Sequence, residues 1–216
     1  MRNQSIKDQP IKTQPIKAPL HLPLAIVDLE TTGANPSIDR VIEIGVILID
    51  NGEISQRWQR LIDPQQSLPY FISSLTGITD KDLRDAPLFA DVCDELQALL
   101  KDRLFVAHNV RFDYGFLKSE FERRGQSFKP DLLCTVRWSR QLYPQLKGHG
   151  LDAICARFGI GNEARHRALG DAEATWQFLQ LTCNAFSAEQ LYSALVKQQQ
   201  RPSLPPAISA ERINTI

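Results

Sequence analysis

The feature that most constrains the fold is a β-hairpin encoded between residues 41 and 62. Val41–Asp50 (VIEIGVILID) is an apolar, β-branched run suited to a strand, and residues 53–62 supply a second strand after the pair Asn51-Gly52. An Asn-Gly pair between two such runs favours a tight hairpin turn. The chain therefore contains an antiparallel strand pair, and the remaining elements must extend or cover the sheet that this pair begins.

Shorter apolar runs and helical patterns alternate along the rest of the chain. We predict strands at residues 22–29, 104–107 and 132–133, and helices at residues 88–100, 109–124, 135–142, 150–158, 168–186 and 188–200. The Asn109 side chain is expected to cap the helix that it begins, because it can satisfy the free amides of the first turn. Hairpin strands followed by strands that alternate with helices indicate an α/β fold, with helices packed against a mixed sheet.

The composition is that of a soluble protein with a hydrophobic core. Hydrophobic residues make up 43% of the 216 residues and charged residues 23%, which excludes wholesale disorder and collagen-like repeats. The 25 Lys and Arg balance the 25 Asp and Glu, so any charge-driven binding must come from local patches. The four cysteines are far apart, and no apolar run approaches the ~18–20 residues of a spanning helix. We expect a reduced, cytoplasmic protein without membrane contact.

Proline-rich segments flank the main domain. Residues 1–20 carry the short repeat IKDQP, IKTQP, IKAP, and residues 201–216 contain three further prolines after a glutamine run. Proline at this spacing prevents helices and central strands, so we predict a flexible arm at the first segment and a linker-like tail at the second. The main domain then covers residues 21–186, and a C-terminal helix covers residues 187–200.

Acidic residues stand at places where the apolar pattern would put a buried side chain. Asp28 and Glu30 end a strand row whose earlier members are apolar, and Asp113 precedes an apolar helix face. Asp171 lies near the start of the helix predicted at residues 168–186. Each position also has a purely structural interpretation, since an acid can cap a turn, stabilise a helix dipole or remain solvated.

Four carboxylates and one histidine together suggest a divalent-metal site. His166 stands five residues before Asp171 and between two arginines, although a histidine by itself is usually structural or exposed. Mg²⁺ and Mn²⁺ prefer carboxylate oxygens. Two such ions about 3.5–4 Å apart can activate water and stabilise the leaving oxygen of a phosphodiester. The sequence order permits this clustering without requiring it.

Three motifs in order carry a resemblance to a known family. They are VDLETTG at residues 27–33, HNVRFD at residues 108–113 and HRALGD at residues 166–171, with LTGITD at residues 75–80 between the first two. Together they resemble the DEDD-type 3′–5′ exonucleases of the histidine subclass, and the proofreading epsilon subunits of bacterial DNA polymerase III in particular. The resemblance covers about residues 22–186.

The resemblance implies a ribonuclease H-like fold, with a five-stranded mixed sheet flanked by helices. It also implies that two divalent ions, Mg²⁺ or Mn²⁺, are held by four carboxylates: Asp28, Glu30, Asp113 and Asp171. His166 would act as the general base for the attacking water, a role that suits an imidazole because its unperturbed pKa lies near neutrality. All five catalytic positions are intact, so an inactive relative is not expected.

The substrate-binding residues are likewise implied by the resemblance. Four would surround the terminal nucleotide, with backbone amides near its 3′-hydroxyl: Leu29, Thr31, Thr32 and Gly33. Four more would border the terminal bases and phosphates: Ile78, His108, Asn109 and Phe112. The pair Cys134-Thr135 stands where relatives often have Asp-Thr, a departure that we expect to affect packing rather than chemistry.

The predicted function is metal-dependent release of nucleoside monophosphates from DNA 3′ ends in proofreading or repair, with single strands preferred. Two alternatives stay open. One is a 3′–5′ exoribonuclease that trims RNA. The other is a binding subunit of a polymerase or repair nuclease, whose own activity is incidental.

Two weaker sequence features bear on partners. Residues 111–147 hold eight Lys or Arg against four acids, a segment that would either contact phosphates or form a solvated helix face. Residues 165–172 and 204–216 are similar to proteins in which such an exonuclease precedes a GIY-YIG nuclease domain related to UvrC. A chance similarity of a disordered tail is an equally acceptable interpretation.

Overall fold

Five strands form one mixed sheet in the computed structural model, which describes residues 22–199. They are β1 (Leu24–Thr31), β2 (Val41–Asp50), β3 (Glu53–Leu61), β4 (Leu104–Ala107) and β5 (Leu132–Cys134). The order across the sheet is β3-β2-β1-β4-β5, with antiparallel pairing among β1, β2 and β3 and parallel pairing among β1, β4 and β5. The predicted mixed sheet is confirmed. The arm predicted at residues 1–20 and the tail predicted at residues 201–216 lie outside the described residues.

Helices flank this sheet. Within residues 22–199 they are α1 (Tyr70–Thr76), α2 (Asp80–Arg84), α3 (Phe89–Leu100), α4 (Val110–Arg123), α5 (Thr135–Leu142), α6 (Leu151–Phe158), α7 (Ala168–Ala185) and α8 (Ala188–Gln199). The last six begin and end within one residue of the predicted bounds. The sequence periodicity indicates neither α1 nor α2, because helices of seven and five residues are too short to show it. Among the helices described, none combines the length and the apolar character needed to cross a membrane.

The β2–β3 hairpin turns where the sequence predicts it. Asn51 and Gly52 have φ values of 53° and 80°. Left-handed backbone at both central residues is what the tightest hairpin turns require. The Asn-Gly pair therefore sets the turn, and the strand pairing follows from it.

The capping role predicted for Asn109 is wrong. Its backbone has φ 75° and ψ 51°, and its side chain makes no capping hydrogen bond at the start of α4. A residue that caps a helix through its side chain has extended backbone instead. Asparagine tolerates the left-handed conformation better than most residues, so Asn109 turns the chain sharply from β4 into α4.

An apolar layer covers each face of the sheet, so β1 is buried on both sides. Leu24 and Ile26 pack with residues of α5, α6, α7 and α8, whereas Ala25, Val27 and Leu29 pack with residues of α3 and α4. Strands covered on both faces have continuous apolar sequences, as β1 has before its two acids. The row that ends in those acids therefore faces α7.

Gly45 on β2 lies where α7 begins. A Cβ atom built on Gly45 would stand 2.4 Å from the carbonyl carbon of Ala168 and 2.4 Å from the amide nitrogen of Leu169. We expect Gly45→Ala to lower the free energy of unfolding by about 1–3 kcal/mol in urea titrations, the usual cost of overpacking. Gly161→Ala is the control, because a Cβ atom there meets nothing within 4 Å. Equal effects of the two substitutions would show that the contact does not limit stability.

Candidate active site

Asp28 and Glu30 occupy the end of the β1 row that faces α7. Across the antiparallel ladder Asp28 pairs with Gly45, and Glu30 pairs with Glu43 of β2. Both acids of β1 are partly buried. Because β4 runs parallel to β1, the carboxyl ends of the two strands reach the same edge of the sheet, where α4 begins. A third acid enters the site from that helix.

Asp113 lies in the first turn of α4. Its side chain is 2% exposed. The backbone of Leu29, between Asp28 and Glu30 on β1, favours the charged form of this carboxylate and offsets part of the effect of burial on its pKa. The apolar residues predicted to share its helix face are fully buried in the layer beneath: Phe116, Leu117 and Phe121.

Asp171 enters the site from the first turn of α7. Its side chain is 3% exposed. One carboxylate oxygen accepts a hydrogen bond from Asn162 at 2.6 Å, and the other accepts from Arg165. Arg165 also binds Asp152 of α6, so its guanidinium bridges two carboxylates at the rim of the site.

His166 lies in the loop before α7, beside Glu30 and Asp171. Metal-binding atoms of these three side chains lie within 4.8 Å of one another, close enough to share an ion. The backbone of His166 has φ 62°, a left-handed conformation that is uncommon outside glycine, although histidine adopts it more often than most residues. Backbone strain at a loop residue beside two acids is typical of a functional position.

Burial and mutual repulsion raise the pKa of three acids in the site, Asp28, Glu30 and Asp113. Burial, followed by the charge of Asp113, holds the pKa of Asp28 well above its usual value. Burial, followed by the charge of Asp171, raises the pKa of Glu30 to about 7. Burial also raises the pKa of Asp113 to about 8. Arg165 and Arg167 offset only part of the effect on the pKa of Glu30, and hard oxygen donors such as these carboxylates fit Mg²⁺ or Mn²⁺.

The raised pKa values predict that the metal-free protein loses stability at high pH. Between the usual carboxyl values near 4 and the folded values of about 7 for Glu30 and about 8 for Asp113, the folded state holds protons that the unfolded state has lost. The free energy of unfolding therefore falls as pH rises. His108 opposes this trend only below about pH 6.5, because burial lowers its folded pKa to about 4. In EDTA we expect a loss on the order of 1–2 kcal/mol from pH 6.5 to pH 8 by urea unfolding.

Two substitutions test whether the loss of stability between pH 6.5 and pH 8 comes from the acids of the site. Asp113→Asn removes one of the titrating groups and should make the pH dependence shallower. Asp85→Asn changes an exposed carboxylate and should leave the dependence as it is in wild-type protein. A wild-type stability that is constant or rising from pH 6.5 to pH 8 would contradict the raised pKa values.

Several of the residues predicted to bind substrate are already engaged within the protein. Four of them have buried side chains: Leu29, Thr31, Thr32 and Ile78. The Thr31 hydroxyl donates to the Gly33 carbonyl at 2.6 Å. The Thr32 hydroxyl accepts from the Arg40 amide at 3.0 Å and from the Gln66 side chain at 2.6 Å. Nucleotide contacts at these four positions would therefore have to come from the backbone.

His108 and Asn109 form the turn between β4 and α4, and Phe112 follows them in the first turn of α4. His108 Nδ1 lies 2.9 Å from the hydroxyl of Thr135, a fully buried residue at the start of α5. Cys134 packs in the apolar layer between the sheet and α3 and α4. Cys134, which stands where relatives often have aspartate, therefore contributes to core packing. Thr135 contacts His108, which is predicted to bind substrate.

Sequence reasoning missed the side chains that hold the acids and the histidine in place. Glu43 is fully buried on β2 and binds the guanidinium of Arg167, the residue after His166. Arg165 and Asn162 bind Asp171. A glutamate inside the apolar run VIEIGVILID was a visible signal, because an acid is rarely buried unless it is paired. Its arginine partner lies 124 residues away in sequence, which no local pattern reveals.

Comparison with protein families gives one match that spans most of the chain. The family model RNase_T, described as Exonuclease, matches residues 25–179. That span includes all four acids of the site and the histidine.

Two curated relatives match about 70% of the chain. The DNA polymerase III PolC-type of Halalkalibacterium halodurans is 39% identical over 165 residues, which cover 74% of this chain and 12% of the relative. The 3′-5′ exonuclease DinG of Bacillus subtilis is 38% identical over 153 residues, which cover 69% of this chain and 16% of the relative. The chain thus spans less than a fifth of the length of these relatives.

A solved structure matches the fold over nearly its whole length. The nuclease domain of 3′hExo, a DEDDh family member bound to rAMP, superposes with a TM-score of 0.66 at 19% sequence identity. The match covers 78% of this chain and 95% of that domain. At this identity the likeness establishes a shared fold.

Proposed function

Because the chain belongs to the Exonuclease (RNase_T) family, we propose that it hydrolyses DNA from the 3′ end and releases nucleoside monophosphates. The observation that carries the proposal is the convergence of four acids from β1, α4 and α7 on one edge of the sheet. Asp28 interacts electrostatically with the other three, which are Glu30, Asp113 and Asp171. His166 lies beside two of them.

The chain's own residues have distinct roles in this reaction. Bound at the four carboxylates, two divalent ions would supply Lewis-acid activation of the water and stabilisation of the leaving oxygen. His166 would accept the proton of the attacking water as that water forms the new bond to phosphorus. The bond from phosphorus to the 3′-oxygen of the preceding nucleotide breaks, and that oxygen takes up a proton. Asn162 orients Asp171 through one carboxylate oxygen, and Arg165 would have to leave the other oxygen before an ion could bind there.

The names of the relatives support DNA and the 3′ end. A DNA polymerase III and a 3′-5′ exonuclease are 39% and 38% identical to this chain. We expect single strands and frayed ends to be cut faster than intact duplex, since a duplex must lose pairing and stacking before its terminus enters a site. The exposed basic side chains between residues 111 and 147 would either contact phosphates or form a solvated helix face: Arg111, Lys118, Arg123, Arg124, Lys129, Arg140 and Lys147.

RNA trimming is the second candidate function, supported by the ribonucleotide bound to the 3′hExo domain. That likeness extends to the fold alone, whereas the relatives of higher identity carry DNA polymerase and exonuclease names, so we favour DNA. A purely binding role is less favoured because the four acids and His166 are all present. A polymerase or repair-nuclease partner and a cytoplasmic location stay predictions.

End-labelled oligonucleotides test the proposal. The same sequence is prepared as single-stranded DNA, duplex DNA and RNA, labelled at the 3′ or the 5′ end, and incubated with Mg²⁺, Mn²⁺ or EDTA. We expect immediate release of a labelled mononucleotide from 3′-labelled DNA and a ladder of shortening products from 5′-labelled DNA. Only the reactions with metal should show either product. The reverse pattern of the two labels, or equal rates in EDTA, would contradict the proposal.

A further inference from the structure

Glu43 is a buried carboxylate that the proposed reaction does not use. It is 0% exposed and accepts hydrogen bonds from Gln59 at 2.8 Å and from the Ala168 amide at 2.9 Å. The guanidinium of Arg167 contributes further bonds at 2.6 and 3.1 Å. Both carboxylate oxygens are therefore occupied by protein donors.

The partners of Glu43 connect the sheet to the loop that carries His166. Arg167 follows His166 directly, and Ala168 is the first residue of α7. Glu43 itself stands opposite Glu30 in the β1–β2 ladder. The same strand pair therefore carries two acids of the site, Asp28 and Glu30, and anchors the loop that brings the histidine to Glu30.

The strained backbone of His166 requires anchoring on both sides. A left-handed residue other than glycine costs about 1–3 kcal/mol and persists only where its surroundings enforce it. On one side, Arg165 is bound by two carboxylates. On the other side, Arg167 is bound by Glu43, and its amide donates to the Ala164 carbonyl at 3.1 Å.

We propose that Glu43 is a positioning residue, which fixes the His166 imidazole for its role in hydrolysis by holding Arg167 and the start of α7. Glu43 acts through His166 and touches neither nucleic acid nor metal. The inference rests on the proposed function, since it assigns how the base of that reaction is oriented. Groups that orient a reacting side chain from behind typically contribute about 10–100-fold to activity.

Glu43→Gln is the variant that tests this role. Glutamine keeps the size of the side chain and one acceptor oxygen, but loses the charge that pairs with Arg167. The Arg167 side chain is 43% exposed, so water can solvate its guanidinium in the variant and the fold should survive. We expect kcat on 3′-labelled single-stranded DNA to fall about 10–100-fold, with KM changed by less than about threefold.

The same substitution in His166→Ala protein separates positioning from a general structural role. If Glu43 acts through His166, adding Glu43→Gln should change the residual kcat of His166→Ala by less than about threefold. Glu120→Gln is the matched control, because Glu120 is another buried carboxylate bound by an arginine, Arg40. It should lower stability but leave kcat near the wild-type value. If Glu43→Gln lowered kcat by the same factor in wild-type protein and in His166→Ala protein, the proposal would be overturned.

Nuclear magnetic resonance of the His166 imidazole gives a readout that does not depend on activity. We expect one sharp imidazole signal in wild type and in Glu120→Gln, but a broadened or divided signal in Glu43→Gln. An unchanged signal in folded Glu43→Gln would overturn the proposal. If the wild-type protein cuts none of the substrates, the proposed function fails, and the imidazole signal still decides whether Glu43 holds His166.

Arg167→Lys replaces Glu43→Gln if that variant does not fold. Lysine keeps the positive charge opposite Glu43 but loses the forked contact of the guanidinium. The same loss of kcat and the same broadening of the imidazole signal are expected. Wild-type values of both in folded Arg167→Lys would overturn the proposal.

Discussion

Asp113→Asn should reduce kcat by about 10³-fold or more and leave the protein folded. Asp113 is buried and interacts electrostatically with both acids of β1, and the stabilisation that ions at this site give to the transition state is worth several kcal/mol. The asparagine keeps the size of the side chain, so the substitution opens no cavity. In EDTA at pH 8 the variant should therefore be at least as stable as wild type, since an uncompensated buried charge is gone.

Glu120→Gln gives the matched comparison on the same helix. Glu120 is also 2% exposed, but Arg40 and Arg123 compensate its charge at 2.7 and 3.2 Å. Its loss should therefore destabilise the fold and spare kcat, the opposite of the result at Asp113. Near-wild-type turnover of Asp113→Asn at saturating Mg²⁺ would remove Asp113 from the metal assignment.

His166→Ala should lower kcat by about 10²–10⁴-fold, the usual contribution of a general base. Binding of single-stranded DNA and of Mn²⁺ should persist, because the four carboxylates remain. Steady-state rates on 3′-labelled DNA measure the first effect, and calorimetry with Mn²⁺ measures the second. Asp171→Ala serves as the reference, because it shows how far the Mn²⁺ affinity falls when a proposed metal ligand is removed.

His166 could bind the metal instead of acting as the general base, and the geometry of the site makes this the alternative to test. Its imidazole lies within 4.8 Å of carboxylate atoms of Glu30 and Asp171, as a metal ligand would. A fall in Mn²⁺ affinity comparable with that of Asp171→Ala would identify His166 as a ligand. A kcat equal to that of wild type would exclude it from the mechanism.

The elements that sequence could predict are those with a local physical signal. The Asn51-Gly52 turn and the apolar runs on either side of it specify the hairpin, and the structure has it there. The continuous apolar character of β1 predicts a strand covered on both faces, which is confirmed by the two apolar layers. The motifs around Asp28, Asp113 and His166 predict the family and the ribonuclease H-like fold class, and both are confirmed by the comparisons.

The features that the sequence did not predict depend on contacts between residues distant in sequence, or on two local conformations that compete. The pairing of Glu43 with Arg167 depends on the β1–β2 register and on the packing of α7 against the sheet. Neither can be predicted from a short segment of sequence. At Asn109 two local preferences competed, since asparagine suits both a helix cap and left-handed backbone. The abrupt turn from β4 into α4 selects the second.

Digestion of a circular single-stranded DNA tests the central claim most directly. The circle and its linear form share one sequence, and both are incubated with the protein and Mn²⁺ while mononucleotide release is measured. The proposed 3′–5′ exonuclease should release mononucleotides from the linear DNA and leave the closed circle intact, because the circle offers no 3′ terminus. Cutting of the circle at a rate comparable with that of the linear strand would contradict the account.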